Sequence, residues 1–574
     1  MLHRWNWCAL AIATATATSS TAHAGLSIPN KLWGEEYDAR VSDVAKIAAS
    51  IQNEPRALTI RNVSYPFSYG PVARPGSLAA NIVNEEGAEL EGRKDPNAAK
   101  YVGIAANTTF NTENDYLAYY DKIASFVPRP MSTDISDDTF GELRMTGFGF
   151  KIAQVRDAEQ YGDTLAIVAD RDVSRVCGRR VTADSLLENG DLYVVDFSDV
   201  AQWNDPSNPK KYVPNIIGFF CHNTRRSKVL PFAIHLVDQE LTYTPFDNAD
   251  EWKLAKMALN AAEINWQNMQ HFVETHLMTS PVRVELMRTT AASHPVNALV
   301  QYHCRGDIAL EAIAPVTLIA AGTVIDQAFA WGATGSMRFF KHQFDQKLSI
   351  TRNFVVDAQE RGIDTLPLSK YYKYASMYWD ALGGFVSAYL RAYYCSDEDV
   401  QNDQELQNWV KACTSIPQLT DFPSFIDSID ELSDLVLHLI FSSSVRHHSM
   451  NGMVTWDTAS IPYSMPSLWK PWPTRKLASG ESLSIVDYNV PVSLTPSAIG
   501  AVLVFRREAK SPSATFSRAY TGAPFANETV VAESVGDFQA MMEYIESQVE
   551  TDEQDEKWPY RILQPSRLPF TAWI

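Results

Sequence analysis

The run His271-Phe-Val-Glu-Thr-His276 places two histidines five residues apart. Imidazole nitrogens are the commonest side-chain ligands for transition metals, so geometry decides whether both can reach one ion. On an ideal α-helix, five steps of about 100° leave the two side chains roughly 140° apart, too far to share an ion. A single π-turn brings positions i and i+5 onto one face, and such turns occur mostly at functional sites. Two readings stand at this point: two unrelated core histidines, or a metal-binding π-turn. A zinc-protease site is excluded. It needs H-E-x-x-H, with the glutamate directly after the first histidine, and Glu274 is in the wrong place.

A second cluster, His447-His448-Ser-Met-Asn451, puts His447 and Asn451 at i and i+4, on one helical face. An adjacent histidine pair is ordinarily a solvated surface feature. Here the preceding run Leu435-Val-Leu-His-Leu-Ile-Phe441 is strongly apolar, which favours burial. Three imidazoles and an amide oxygen make an N/O donor set. Such a set suits a redox-active first-row metal with an open position for water or substrate.

These residues need long buried helices to position them. Segments 251–280, 368–395, 403–413 and 428–455 read as helices, several of them apolar nearly all round. Residues 25–250 mix short helical stretches, turns and a few strands, with Asp191–Phe197 the clearest strand by composition. After Pro471 the chain is rich in Pro and Ser to about residue 534. One more helix, an acidic loop and the apolar end Leu568-Pro-Phe-Thr-Ala-Trp-Ile574 follow. No repeat and no long low-complexity linker is present.

The 574 residues carry a net charge of -19 and 45% hydrophobic residues. That balance supports a large core and disfavours electrostatic binding to nucleic acid or anionic membrane. Residues 1–24 read as a signal peptide: His3 and Arg4, a short apolar stretch from Trp7 to Ala15, and the small-x-small site Ala22-His23-Ala24. Secretion is therefore expected. The sequons at Asn62, Asn107 and Asn527 are candidate glycosylation sites. Five cysteines remain after the leader, Cys177, Cys221, Cys304, Cys395 and Cys413. This odd, sparse set is expected to form no disulfide framework, and without a CxxC pair no thiolate zinc site. No apolar run after the leader is long enough to span a membrane.

Taken together, the motifs resemble the lipoxygenase family. The stretch Gln267–Ala314, with His271, His276, Pro281, Arg288, His294-Pro295 and His303, follows the family pattern without a gap. Trp252-Lys-Leu-Ala-Lys256 looks like the family's lead-in, and the run Tyr393–Trp409 is similar to its Y-Y-x-s-D … D-x-E-L-Q-x-W segment. His447 and Asn451 match H-x-x-x-N, and Leu563–Ile574 is similar to the family's terminus. The likeness spans roughly residues 190–574.

The resemblance implies a mainly α fold. The expectation is one large lipoxygenase-type helical catalytic domain over residues 25–574, with small β elements and no separate N-terminal β-barrel, similar to the secreted fungal iron or manganese enzymes. It implies five metal ligands: His271, His276, His447, Asn451 and the terminal carboxylate of Ile574. A buried carboxylate needs a charge partner, and a metal ion is one. It implies one Fe or Mn ion, which this N/O set does not discriminate. The implied activity is abstraction of a bis-allylic hydrogen from a polyunsaturated fatty acid such as linoleic or α-linolenic acid, followed by O2 insertion to give a hydroperoxide. A metal-bound hydroxide rather than a protein base would accept the hydrogen. The protein is expected to act as a monomer.

Ala314, Leu318 and Ile325 fall at family positions that influence stereocontrol and oxygen access, with plain core packing as the competing explanation for each. Gln267 falls at the family's glutamine beside the first histidine. Its usual partner position is Val454, which cannot hydrogen-bond, so the bridge is absent or made by another group. Lys470 is the nearest candidate for a substrate carboxylate, against the alternative of a solvated surface lysine. The rival functional reading is a catalytically silent, secreted lipid-binding member of the same family.

Overall fold

The structure is a computed structural model. It describes residues 25–572 apart from 72–75, 94–96, 126–127, 456–458, 497 and 500–513. The expected signal peptide and Ile574 lie outside the described residues.

The fold is mainly helical, as expected. The central helix α1 (Ala249–His271) starts where the Asn248 side chain accepts from the amides of Asp250 and Glu251. Asp250 and Glu251 add favourable charge at its positive end. Nearly every later residue of α1 is buried, so neighbours surround it on all sides. At His271 the ladder widens into a π-turn, Phe272–Leu277, and then continues as α2 (Met278–Thr289). The sequence carries a cause for that widening. Pro281 has no N–H to give back to the turn before it, so the ladder must loosen just upstream.

The α3 helix (Asp307–Ala314) runs into a second π-turn, Pro315–Ile319. Further on, α4 (Lys370–Tyr393) packs against both α5 (Ile429–Phe441) and α7 (Ala532–Glu553). Between α5 and α6 (His447–Thr455) lies a third π-turn, Ser442–Arg446. There the hydroxyls of Ser443 and Ser444 donate to the carbonyls of Leu439 and Ile440, competing with the backbone ladder.

A five-stranded antiparallel meander flanks α1: β1 (Ala153–Gln154), β2 (Leu192–Phe197), β3 (Ile216–Asn223), β4 (Lys228–Leu236) and β5 (Leu241–Tyr243), paired in sequence order. Leu192 faces Cys221 and Phe197 faces Ile216, and a bulge interrupts the β3–β4 pairing at Phe219/Phe220. The sheet approaches α1 so closely that a Cβ at Gly218 would lie 2.4 Å from Leu259 Cδ2. Among the described residues, this sheet and two smaller two-stranded pairings do not close into a barrel. No described helix is long and apolar enough to cross a membrane.

One expectation is corrected. Cys177, at the end of the helix Asp170–Cys177, is disulfide-bonded to Cys221 on β3 across a sequence separation of 44. The helix packs on the strand that carries Cys221, so two cysteines far apart in sequence meet in space. Cys304 and Cys413 are free and buried.

Two large apolar clusters meet at the π-turn after α1. Phe272, Val273 and Leu277 belong to the cluster of α1 and the sheet, whereas Met278, Val282 and Leu286 belong to that of α4, α5 and α7. The histidine motif therefore sits at the seam between them.

Candidate metal centre

The π-turn achieves what an α-helical turn would not. The rings of His271 and His276 have centroids 5.7 Å apart, and His447 comes within 5.6 and 4.9 Å of them. One nitrogen from each of the three lies within 4.8 Å of the others, close enough to hold a single metal ion. All three are buried, and Asn451, one turn beyond His447, is 2% exposed. The reading of two unrelated core histidines fails on this geometry.

Burial dominates the charge state of the first pair. Desolvation holds both His271 and His276 down at about 3, so each is a neutral ring with a lone pair to offer. The neighbouring charge of His276 and the carbonyls of Asn268 and Gln267 act more weakly on His271. His276 Nε2 is fully enclosed and makes no hydrogen bond to the protein. A buried nitrogen left so is costly unless something binds it. Neutral, enclosed imidazoles are the donor chemistry that a first-row metal requires.

The two helices that carry these histidines are tied at their π-turns. Glu274, inside the first, takes Arg446, at the end of the third, at 2.6 Å. Thr275 Oγ1 also donates to the Ser442 carbonyl at 3.4 Å. Gln270 Nε2 donates to the other Glu274 oxygen. Sequence reasoning singled out neither Glu274 nor Arg446 as a pair, because 172 residues separate them.

Gln267 resolves the missing bridge. Its Nε2 donates to the carbonyls of Gly147 and Met450, each at 2.9 Å. A backbone oxygen one residue before Asn451 thus takes the role that Val454 cannot. The Val454 side chain itself lies outside the described residues.

His303 and His448 are not part of the cluster. They hold the last described residues beside it. His448 Nε2 donates to the Thr571 carbonyl at 2.7 Å, and His303 Nδ1 to the Phe570 carbonyl at 2.7 Å. The Ala572 amide donates to the His303 carbonyl. His294 is a packing element, meeting Asp403 at 3.0 Å and accepting from the Val296 amide.

Ala314 and Ile325 are buried in the same apolar cluster as Phe272, Val273 and Leu277, with Leu318 packed against it half-buried. Lys470 is exposed and paired with Asp487 at 2.9 Å, which is the surface-lysine alternative. Asn62, Asn107 and Asn527 are all exposed.

The lipoxygenase family model matches residues 145–573, about three quarters of the sequence, with His271, His276, His447 and Asn451 inside the match. The chain belongs to the lipoxygenase family. Among curated relatives, this lipoxygenase is 26% identical over 458 residues to the manganese lipoxygenase of Pyricularia oryzae, covering 76% of this chain and 72% of that one. It is 23% identical over 437 residues to an allene oxide synthase-lipoxygenase protein of Plexaura homomalla, covering 70% of this chain and 40% of the relative. It is 26% identical over 306 residues to the manganese lipoxygenase of Colletotrichum gloeosporioides, covering 51% and 50%. The aligned part thus spans half or less of the length of these last two.

In fold, the lipoxygenase superposes on the manganese lipoxygenase of Gaeumannomyces graminis with a TM-score of 0.81 at 21% identity, covering 96% of this chain and 100% of that one. A calcium-dependent 11R-lipoxygenase gives a TM-score of 0.82 at 19% identity, covering 96% and 83%.

Proposed function

We propose that this lipoxygenase is a fatty acid dioxygenase holding one iron or manganese ion on His271, His276, His447, Asn451 and the terminal carboxylate of Ile574. It converts a polyunsaturated fatty acid such as linoleic or α-linolenic acid, with O2, to a hydroperoxide. The observation that carries the reading is the buried three-histidine cluster built on a π-turn. The tethering of residues 570–572 by His303 and His448, the latter next to His447, supports Ile574 as a donor.

When bound, a trivalent ion of this kind supplies a one-electron oxidant for a bis-allylic C–H bond. The protein's own residues contribute position and exclusion. His271, His276 and His447 present imidazole nitrogens from two helices fixed to one another through Glu274 and Arg446. Glu274 is engaged with Arg446, and Asp307 with His276 and Thr279. Neither is placed as a general base. Phe272, Val273, Leu277 and Ala314 are buried in one apolar cluster, surroundings that suit a hydrocarbon chain. Ala314, Leu318 and Ile325 are the residues we assign to the position and face of O2 addition.

The protein is proposed to be secreted, glycosylated and monomeric. The Cys177–Cys221 disulfide supports an oxidising compartment, and the exposed sequons are compatible with glycans.

The test is O2 consumption by the metal-loaded protein with linoleic acid, followed by product chromatography. Stoichiometric O2 uptake with a conjugated-diene hydroperoxide is expected. A bound metal and bound fatty acid with no O2 uptake would overturn the enzyme reading in favour of a silent lipid-binding protein.

A further inference from the structure

His276 has a carboxylate behind it. Its Nδ1 lies 3.0 Å from Asp307 Oδ1, and both side chains are fully buried. The second carboxylate oxygen is also held, with Thr279 Oγ1 donating to Asp307 Oδ2 at 2.6 Å. His276 and Thr279 are three residues apart, on one face of the ligand helix. Asp307 opens α3, where an acidic residue ordinarily serves the helix dipole. Here both its oxygens face the ligand-bearing helix instead.

The loop that delivers it is pinned. The Asp307 amide donates to the Cys304 carbonyl, which also receives Arg283 Nη1 at 2.7 Å. Arg283 Nη2 in turn meets Glu86 at 2.7 Å, and Glu86 accepts from the Ala309 amide. The carboxylate is thus fixed by two contacts on the helix it serves and by a buried ion pair on the side it comes from.

We infer that Asp307 is a positioning residue for the metal centre: it holds His276 in the tautomer that presents Nε2 to the ion and, once that cation is bound, places negative charge behind that ligand. The inference rests on the metal-centre reading above. An imidazole that gives its Nε2 lone pair to a cation carries its proton on Nδ1. The 3.0 Å contact is then Nδ1–H donating to the carboxylate. Such an acceptor fixes the ring plane and makes the nitrogen a stronger donor. A stronger, more anionic ligand favours the higher oxidation state of the ion, the state this chemistry needs. Asp307 thus contributes to the metal potential through His276.

The experiment compares wild type, Asp307→Asn and Asp307→Ala in the full chain. Iron and manganese affinity is measured by chelator competition, the midpoint potential of the bound ion by redox titration, and folding by circular dichroism. Asp307→Asn keeps a hydrogen-bond acceptor and removes the charge. It is expected to retain one ion per chain and to shift the potential upward. Asp307→Ala removes both and is expected to lose about 10–100-fold in metal affinity. If the alanine variant does not fold, the near-isosteric asparagine variant carries the test through its potential. Wild-type affinity and potential in the folded variants would overturn the inference while leaving the metal centre standing. A folded wild type that binds neither ion would overturn both.

Discussion

At the scale of single residues, the site depends on groups kept neutral or paired by burial. Gln267 is a clear case, since its amide joins Gly147 and Met450 across the helix that carries Asn451. Gln267→Leu leaves both carbonyls without that donor. It is expected to cost about 2 kcal/mol in urea unfolding, and an unchanged midpoint would remove Gln267 from the account. Buried histidines outside the cluster set an acid limit. Burial pushes His303 down to about 3 and His438 to about 4, against about 6.5 in an unfolded chain. Between those values the unfolded chain binds protons that the folded one refuses. Stability present above pH of about 6.5 is therefore lost as pH falls toward the folded values. Urea midpoints at pH 7 and pH 5 should differ, with the lower stability at pH 5. A flat profile would mean that these rings are protonated when folded. Residue types and spacing marked His271, His276 and His447 as candidates in sequence, and the family resemblance is what joined them into one set. Asp307 was not legible, because it meets His276 across 31 residues and no local pattern links them.

At the scale of elements, the π-turns do the geometric work. The first was readable, because an i, i+5 histidine pair can share an ion only if the helix widens, and Pro281 gives the widening a cause. The third was not, although the serine run before Arg446 weakens the ladder there. It is recognisable only once Arg446 is seen to reach Glu274. That ion pair is mostly enclosed, with side chains 13% and 21% exposed. Arg446→Met strands Glu274 and is expected to destabilise by about 3 kcal/mol. Glu274→Gln combined with Arg446→Met should cost less than the sum of the two single changes. Strict additivity would contradict a direct coupling of the two turns.

At the scale of the whole molecule, the mainly helical fold was legible from the long buried helices and the motif order. The disulfide was not, because five scattered cysteines give no pairing until Asp170–Cys177 is packed on β3. That bond closes a long loop beside the sheet that flanks α1. Cys177→Ala with Cys221→Ala should lower stability by about 3 kcal/mol, and reductant should lower the wild-type melting temperature by more than that of the double variant. Equal melting temperatures with and without reductant in the wild type would mean that the bond does not stabilise the fold.

The central claim is that three buried histidines form a metal centre, and metal content tests it most directly. Purified wild type, His276→Ala and His447→Ala would be compared by elemental analysis, with folding checked by circular dichroism. The expected result is about one iron or manganese ion per wild-type chain and close to none in either variant, with all three folded. A folded wild type free of both metals, or variants that keep a full complement, would contradict the account.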